Sequence, residues 1–456
     1  MSLHIFHTND LHSNYTALGS VEEVLCAQRG AEDLYFDSGD FTDLKSPVVD
    51  ADKGGTALTL LTACGLDAMA VGNNEIDLGY DALTAIARQG VPFVCANLTD
   101  NASRPVPGVP ASRILERQGV RILVLGAAPY YNKGLAPGAV NVFFRMGNLM
   151  TVPPEVPLRR ELERQKGRYD FCILLTHSGE YADSMILPGL PEVDLCLSGH
   201  DHQVITRRGY SSSGKGECLG CVTLEKQGGG FAETASCQIP LTGPCRPEFT
   251  ALLTAAQEKA AAILGTPLPA LGGMDFHAFD ECFLVNFIAD ALHKLFESDL
   301  ALMHSGIADG PLTLPISRKS LLETLPSKLN PTLYTVTGAA LLEAARQSLD
   351  PDWVRQHGQG PGFRGTVLGT LGFSSNVRVS KSPFGLWVDG CSVTPERQYR
   401  IAADDYLQRG CGYPSLRVPD EAAQFHRWFI RDLVENSLTD PELYRTAAVR
   451  RQKEEA

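Results

Sequence analysis

The sequence predicts an α/β layered domain followed by a smaller α+β domain, and three observations carry that prediction. Short apolar runs alternate with helical patterns through the first half of the chain. Polar residues gather where those runs end, the place at which open α/β sheets hold their sites. From residue 203 to about 246 the alternation gives way to turns and short strands, after which a different mixture of elements begins.

The expected strands, in order, are "LHIFHT", "LYFDSG", "AMAVG", "PFVCAN", "RILVLG", "DFCILLTH" and "VDLCLSGH". Each is a run of apolar and β-branched residues too short for a helix. Helical periodicity separates several of them, as in "GSVEEVLCAQRG" and "GTALTLLTACG", and strand–helix–strand repetition argues for a layered α/β domain. Residues 1–246 form this first domain. An amphipathic helix from Pro247 to Gly265 bridges to the second domain, residues 266–450. There, helices are expected in "ECFLVNFIADALHKLFES" and "GAALLEAARQSL", and strands in "LYTVT", "NVRVS" and "QYRIAADDYL". The charged tail "RRQKEEA" reads as a frayed end.

With 456 residues, 44% apolar and 20% charged, the chain can bury more than one core. Its net charge of −13 argues against a nucleic-acid polymer as partner, because affinity there comes from clustered Lys and Arg. No apolar run is long enough to span a bilayer, so no membrane partner is expected. The N-terminus lacks a basic segment followed by an apolar one, and the 12 cysteines are scattered through apolar segments as reduced thiols would be. Both point to the cytoplasm; a secreted or periplasmic location would need a leader outside this sequence. Nothing in the sequence fixes the oligomeric state.

Five short pieces each set His, Asp or Asn directly after an apolar strand. They are "TNDLH" (Asp10, His12), "DSGD" (Asp40), "GNNE" (Asn73, Asn74), "LLTHSGE" (His177) and "LSGHDH" (His200, His202). Asp-x-His and His-x-His put two ligands on one loop, able to face the same ion. One His at a strand end is usually structural; five such pieces in order are not. Four imidazoles, two carboxylates and an amide carbonyl suit two borderline divalent ions such as Mn²⁺, Zn²⁺ or Fe²⁺. Mg²⁺ alone would call for more oxygen.

The order "HTNDLH…DSGD…GNNEID…LLTHSG…SGHDH" resembles the calcineurin-like metallophosphoesterases, in particular the bacterial 5′-nucleotidase branch. Segments of the second half, "NFIADALHKLFESDLALMHSGI" and "VTPERQYRIAADDYLQRGCGYPSL" among them, resemble that branch's C-terminal substrate domain. The resemblance implies a four-layer α/β/β/α first domain carrying two metals, and a second domain that recognises the rest of a small phosphate ester, most often a nucleotide. It implies one metal on Asp10, His12 and His202, another on Asn73, His177 and His200, and Asp40 between them. It also implies hydrolysis by a metal-bridging hydroxide, and a hinge at the linker helix. A phosphodiesterase or pyrophosphatase acting on cyclic nucleotides or nucleotide-sugars is the alternative from the same chemistry. A nucleotide-binding protein without catalysis is the other.

Three positions depart from the family pattern. Asn74 stands where the family has a His, and Asp77 matches that His's partner. An amide can donate to a phosphoryl oxygen but cannot supply a proton, and His7 and His304 are candidates to replace the missing imidazole. Ala308 in "MHSGIADG" stands where an Arg is expected, with Arg318 or Arg409 as substitutes. "GCGY" is shorter than the usual G-G-D-G-Y. Of the aromatic pair that holds the substrate's base, Tyr406 aligns with one member, and Phe373 is the candidate for the other.

Two weaker signals are set aside. "GYSSSGKG" (209–216) has Gly216 where a phosphate loop needs Ser or Thr, and reads as a flexible turn. Cys218 and Cys221 form a lone C-x-x-C and read as structural thiols in a β segment.

Overall fold

A computed structural model describes residues 2–360 and 362–453. The chain divides into two compact units, Met1–Ala260 and Ala261–Ala456.

The first unit is built on two six-stranded sheets. In one, Ser2–Thr8, Leu34–Asp37, Ala68–Ala70 and Phe93–Val94 run parallel, and the hairpin Cys218–Gln227/Gly230–Pro240 closes the edge beside Ser2–Thr8. In the other, Val120–Ala127, Phe171–Thr176, Leu195–Ser198 and Tyr210–Ser213 are parallel, with antiparallel edges at Ser112–Arg117 and Val204–Arg207. The facing surfaces pack together: Ile5, Phe36 and Ala70 of the first sheet meet Ile122, Ile173 and Leu197 of the second in one buried cluster. Fully burying an Ile, Leu or Phe side chain contributes about 1.5–3 kcal/mol. Helices cover the outer faces. Leu18 and Val21 of Tyr15–Gln28 are buried on one side, and Leu158, Leu162 and Ile186 on the other. The result is the four-layer α/β/β/α arrangement expected. Parallel strands covered on both faces explain why "FCILLT" is apolar throughout rather than alternating.

Residues 209–216 correct the reading of a flexible turn in part, since residues 214–216 do turn. Tyr210–Ser213 is a buried strand of the second sheet. Its serines bond inward, Ser211 Oγ to His7 Nε2 at 2.9 Å and Ser213 N–H to Asn9 Oδ1 at 2.8 Å. Polar side chains can form a buried strand when neighbours satisfy them, and no apolar pattern announces it.

The second unit holds a five-stranded sheet in the order Leu371–Phe373, Leu300–His304, Gln398–Asp404, Pro331–Thr337, Gln424–Phe425, and a four-stranded one ending on Gln452–Lys453. The helix Phe283–Phe296 packs its apolar face into this core. "QYRIAADDYL" splits: the strand stops at Asp404, whose side chain caps the short helix Asp405–Gln408. Residues 450–453 of the tail are held rather than frayed as expected, and residues 454–456 lie outside the described residues. Arg451 is buried with its guanidinium 2.6 Å from Asp290, and Glu281 accepts the backbone N–H of Arg451 and Gln452. Arg451→Met is expected to destabilise this unit by about 3–5 kcal/mol, since it strands a buried carboxylate. Chemical denaturation measures it; a loss under about 1 kcal/mol would show that the pair does not anchor the tail.

All twelve cysteines are free thiols. No helix among the described residues is long and apolar enough to cross a membrane.

Candidate metal centre

The five sequence pieces converge at the C-terminal ends of the parallel strands of the first unit. Asp10 and His12 follow Ser2–Thr8, Asp40 follows Leu34–Asp37, and Asn73 opens the short helix after Ala68–Ala70. His177 follows Phe171–Thr176, and His200 and His202 follow Leu195–Ser198. The loops are tightly wound. Asp10, His12, Asp40, His200 and His202 all have φ between 44° and 86°, the left-handed region that non-glycine residues rarely adopt. Strain of this kind persists only where the surroundings enforce it, and it gathers at functional sites. Gly72 must be glycine because a Cβ there would lie 2.2 Å from Asp40 Oδ1.

Two groups of ligand atoms face each other. Asp10 Oδ1 lies 3.6 Å from His12 Nε2 and 3.4 Å from His202 Nε2, and those imidazoles are 3.1 Å apart. His177 Nε2 lies 3.3 Å from Asp40 Oδ2 and 3.7 Å from Asp10 Oδ1. His200 Nδ1 lies 3.1 Å from Asn73 Oδ1. Atoms about 2.0–2.2 Å from one ion fall at roughly this mutual spacing. Asp10 Oδ1 and His177 Nε2 are buried and have no hydrogen-bond partner, only the longer charge contacts just given. Orphaned polar atoms at this depth are costly unless a ligand satisfies them, so the residues present fit divalent cations. Asp10 borders both groups, a sharing that the assignment by resemblance gives to Asp40 alone.

The electrostatics follow from burial and proximity. Burial pushes the carboxyls of Asp10 and Asp40 up, but the His177 charge and neighbouring hydrogen bonds outweigh it and hold both low. Burial also lowers the His177 imidazole, yet Asp40 and Asp10 raise it to about 10. The His200 imidazole is lowered, first by burial and then by His177.

Supporting residues that the sequence reading left without a role fix these ligands. Asn9 Nδ2 and the His200 N–H both donate to Asp10 Oδ2, at 2.8 and 2.7 Å, turning Oδ1 inward. Ser38 O accepts His177 Nδ1–H at 2.8 Å, leaving Nε2 to face the carboxylates. Glu75 is fully buried and accepts the N–H groups of Asp40, Thr42 and Gly72, which ties the Asp40 loop to the Asn73 helix. Asn132 Oδ1 stands 3.0 Å from His200 Nε2. Asn9 and Glu75 lie inside the motifs, so the signal was on hand; Asn132 has none.

Asn74 is 5% exposed and turned into the centre. Its Nδ2 donates to Asp40 Oδ2 at 2.8 Å and lies 3.0 Å from His12 Nδ1, and its N–H donates to Asp40 Oδ1. Asp77 is exposed at the far end of the same short helix. His7 does not supply the missing imidazole: it is fully buried against Ser211, and burial pushes it down to about 3. His304 is buried in the second unit with Nε2 on Asp404 at 3.0 Å.

The ring stacked on Tyr406 is Phe363, 4.8 Å away and tilted by 24°. Phe373 sits in an edge strand opposite Leu302, buried in the same core as Phe363 and Tyr406. Tyr406 is itself buried, with a hydroxyl that has no hydrogen-bond partner. Arg318 and Arg409 are both engaged, with Glu435 and Asp405.

Residues 3–204 match the calcineurin-like phosphoesterase family, and residues 268–416 match the 5′-nucleotidase C-terminal domain. An uncharacterized metallophosphoesterase of Bacillus subtilis (strain 168) is 28% identical over 463 residues, covering 95% of this chain and 98% of its own. Among solved structures, a provisional 5′-nucleotidase of Staphylococcus aureus in complex with alpha-ketoglutarate superposes with a TM-score of 0.65 at 16% identity, over 100% of both chains. The NAD nucleotidase of Haemophilus influenzae does so with a TM-score of 0.63 at 13% identity, over 96% of both. At such identities these structures speak for the fold.

Proposed function

This chain belongs to the calcineurin-like metallophosphoesterases that carry a 5′-nucleotidase C-terminal domain, and from that membership we propose that it hydrolyses small phosphate esters, nucleotides foremost. The observation that carries the reading is the pair of facing ligand groups with orphaned Asp10 Oδ1 and His177 Nε2 at their middle. Asp10, His12 and His202 would hold one cation; Asn73, His177 and His200 would hold a second, with Asp40 between. The nitrogen-rich donor set favours Mn²⁺, Zn²⁺ or Fe²⁺. When bound, such a pair stabilises charge on phosphoryl oxygens and lowers the pKa of water. The chain's own residues position it. Asn9 and Glu75 lock the carboxylates, Ser38 fixes the His177 tautomer, and Asn74 donates its amide where a proton donor would otherwise stand. The Phe363–Tyr406 stack is the candidate for holding a base.

The reading is tested by phosphate release, with and without added Mn²⁺, from nucleoside monophosphates, a cyclic nucleotide, a nucleotide-sugar and an aryl phosphate. Turnover lost on chelation supports it. Silence across the panel in protein with two bound metals would favour a binding protein.

Two outcomes follow from the geometry. Asn132→Ala frees His200 Nε2 and is expected to weaken metal affinity about 10–100-fold, the usual cost of losing such a partner. Competition with a chelator reads this, and unchanged affinity would remove Asn132 from the centre. The second concerns protons. The His177 pKa is raised from 6.5 to about 10 in the metal-free fold. The stability that this proton adds is full below pH 6.5 and is lost as pH rises through about 10. An incoming cation must displace it, so metal uptake at pH 8 is expected to release a proton and to tighten with pH. Calorimetry in buffers of different ionisation enthalpy counts that proton; none released would refute His177 as a ligand.

A further inference from the structure

We propose that the cleft beside His200 is a leaving-group subsite that takes a second phosphate of the substrate; the proposal rests on the phosphoesterase reading above. The cleft encloses about 570 Å³ and lies wholly within the first unit. That volume falls in the usual range for small-molecule sites.

The cleft and the candidate metal centre share a wall. His200 turns Nδ1 toward Asn73 in the centre and Nε2 toward Asn132 in the cleft. Ser178, next to His177, and Asp201, between His200 and His202, line the same space. A charged substituent on an ester bound beside His200 would have this cleft within reach.

The charges of the cleft decide what suits it. Glu180 pairs with Arg207 at 2.8 Å, and Asp201 Oδ2 accepts the Glu180 N–H at 2.6 Å. Lys133 lines the cleft and makes no ion pair with a described residue. Its ammonium is a compact charge suited to phosphate. The side chain of Tyr181, 47% exposed, adds a ring and a hydroxyl to the same cleft. In the second unit Ala308 stands where the family resemblance expects Arg, and Arg318 and Arg409 are engaged in ion pairs. Among the residues lining the cleft, Lys133 is the cation for a second anionic group, and it stands beside the Asp201 carboxylate, which keeps its charge. An ester whose leaving portion carries another phosphate satisfies Lys133; a plain monoester leaves its ammonium in water.

The test compares a nucleoside 5′-monophosphate with the matching 3′,5′-bisphosphate, with an aryl phosphate as reference. Metal-loaded wild-type protein is expected to show kcat/KM about tenfold or more higher for the bisphosphate, as one charge-assisted contact gives. Lys133→Met should bring that ratio close to one. Lys166→Met, a change at an exposed lysine outside the cleft, should leave the ratio as it is. No bisphosphate preference, or a preference that survives Lys133→Met, overturns the proposal while the phosphoesterase reading stands. If no ester is cleaved, that reading fails, and calorimetric binding of the bisphosphate decides the subsite. Binding lost in Lys133→Met upholds it; no binding, or binding indifferent to Lys133, ends it.

Discussion

Asp40→Asn is expected to lower metal-dependent phosphate release by more than about 10²-fold, beyond the 10–100-fold typical of losing a ligand's supporting partner. The substitution is nearly isosteric, and Asn tolerates the left-handed backbone found at Asp40 (φ 56°), so the loop should keep its path. What changes is the donor set. Asp40 Oδ1 accepts the Asn74 N–H and Oδ2 accepts the Asn74 amide, both at 2.8 Å, while Oδ2 also faces His177 Nε2 at 3.3 Å. An amide keeps one acceptor and turns an NH₂ group on donors or on a cation. It also removes the negative charge that, with Asp10, keeps His177 charged in the metal-free fold. Metal content by mass spectrometry should fall alongside turnover, with circular dichroism unchanged. A variant with full metal content and full activity would mean that Asp40 does not lie between the cations.

The second large effect concerns Asn74. Its backbone is pinned by Asp40, and its side chain points into the centre, so an imidazole on the same Cβ would enter the same space. A positioned acid contributes about 10²–10⁴-fold to proton transfer, and most where the leaving oxygen is poor. Asn74→His is expected to raise kcat on a nucleoside monophosphate by about 10²-fold, at the low end of that range, and to change aryl phosphate turnover far less. The contrast between the two leaving groups is the readout. Loss of activity on both would show a centre built around the amide, with its bonds to Asp40 and His12 outweighing any gain from a proton donor.

The sequence carried more of this site than of its surroundings. Asp10, His12, Asp40, Asn73, His177, His200 and His202 were legible because each follows an apolar strand, and parallel strands in one layered domain bring their C-terminal ends together. The helix Phe283–Phe296 and the strand Phe171–Thr176 were legible because burial dictates their periodicity. The strand Tyr210–Ser213 was not, because its serines are buried by hydrogen bonds to His7 and Asn9, which no local pattern encodes.

The same division runs through the functional residues. Strand exits and residue types named the candidate ligands, and the family resemblance marked Asn74 as the position of a missing His. Only the tertiary structure decided that Asn132 stands on His200, that Phe363 and not Phe373 stacks on Tyr406, and that Arg451 ties down the tail. These contacts join residues 43 to 161 positions apart, and packing rather than local periodicity selects them. A motif is written in neighbouring residues; its support is assembled from wherever the fold happens to bring a side chain.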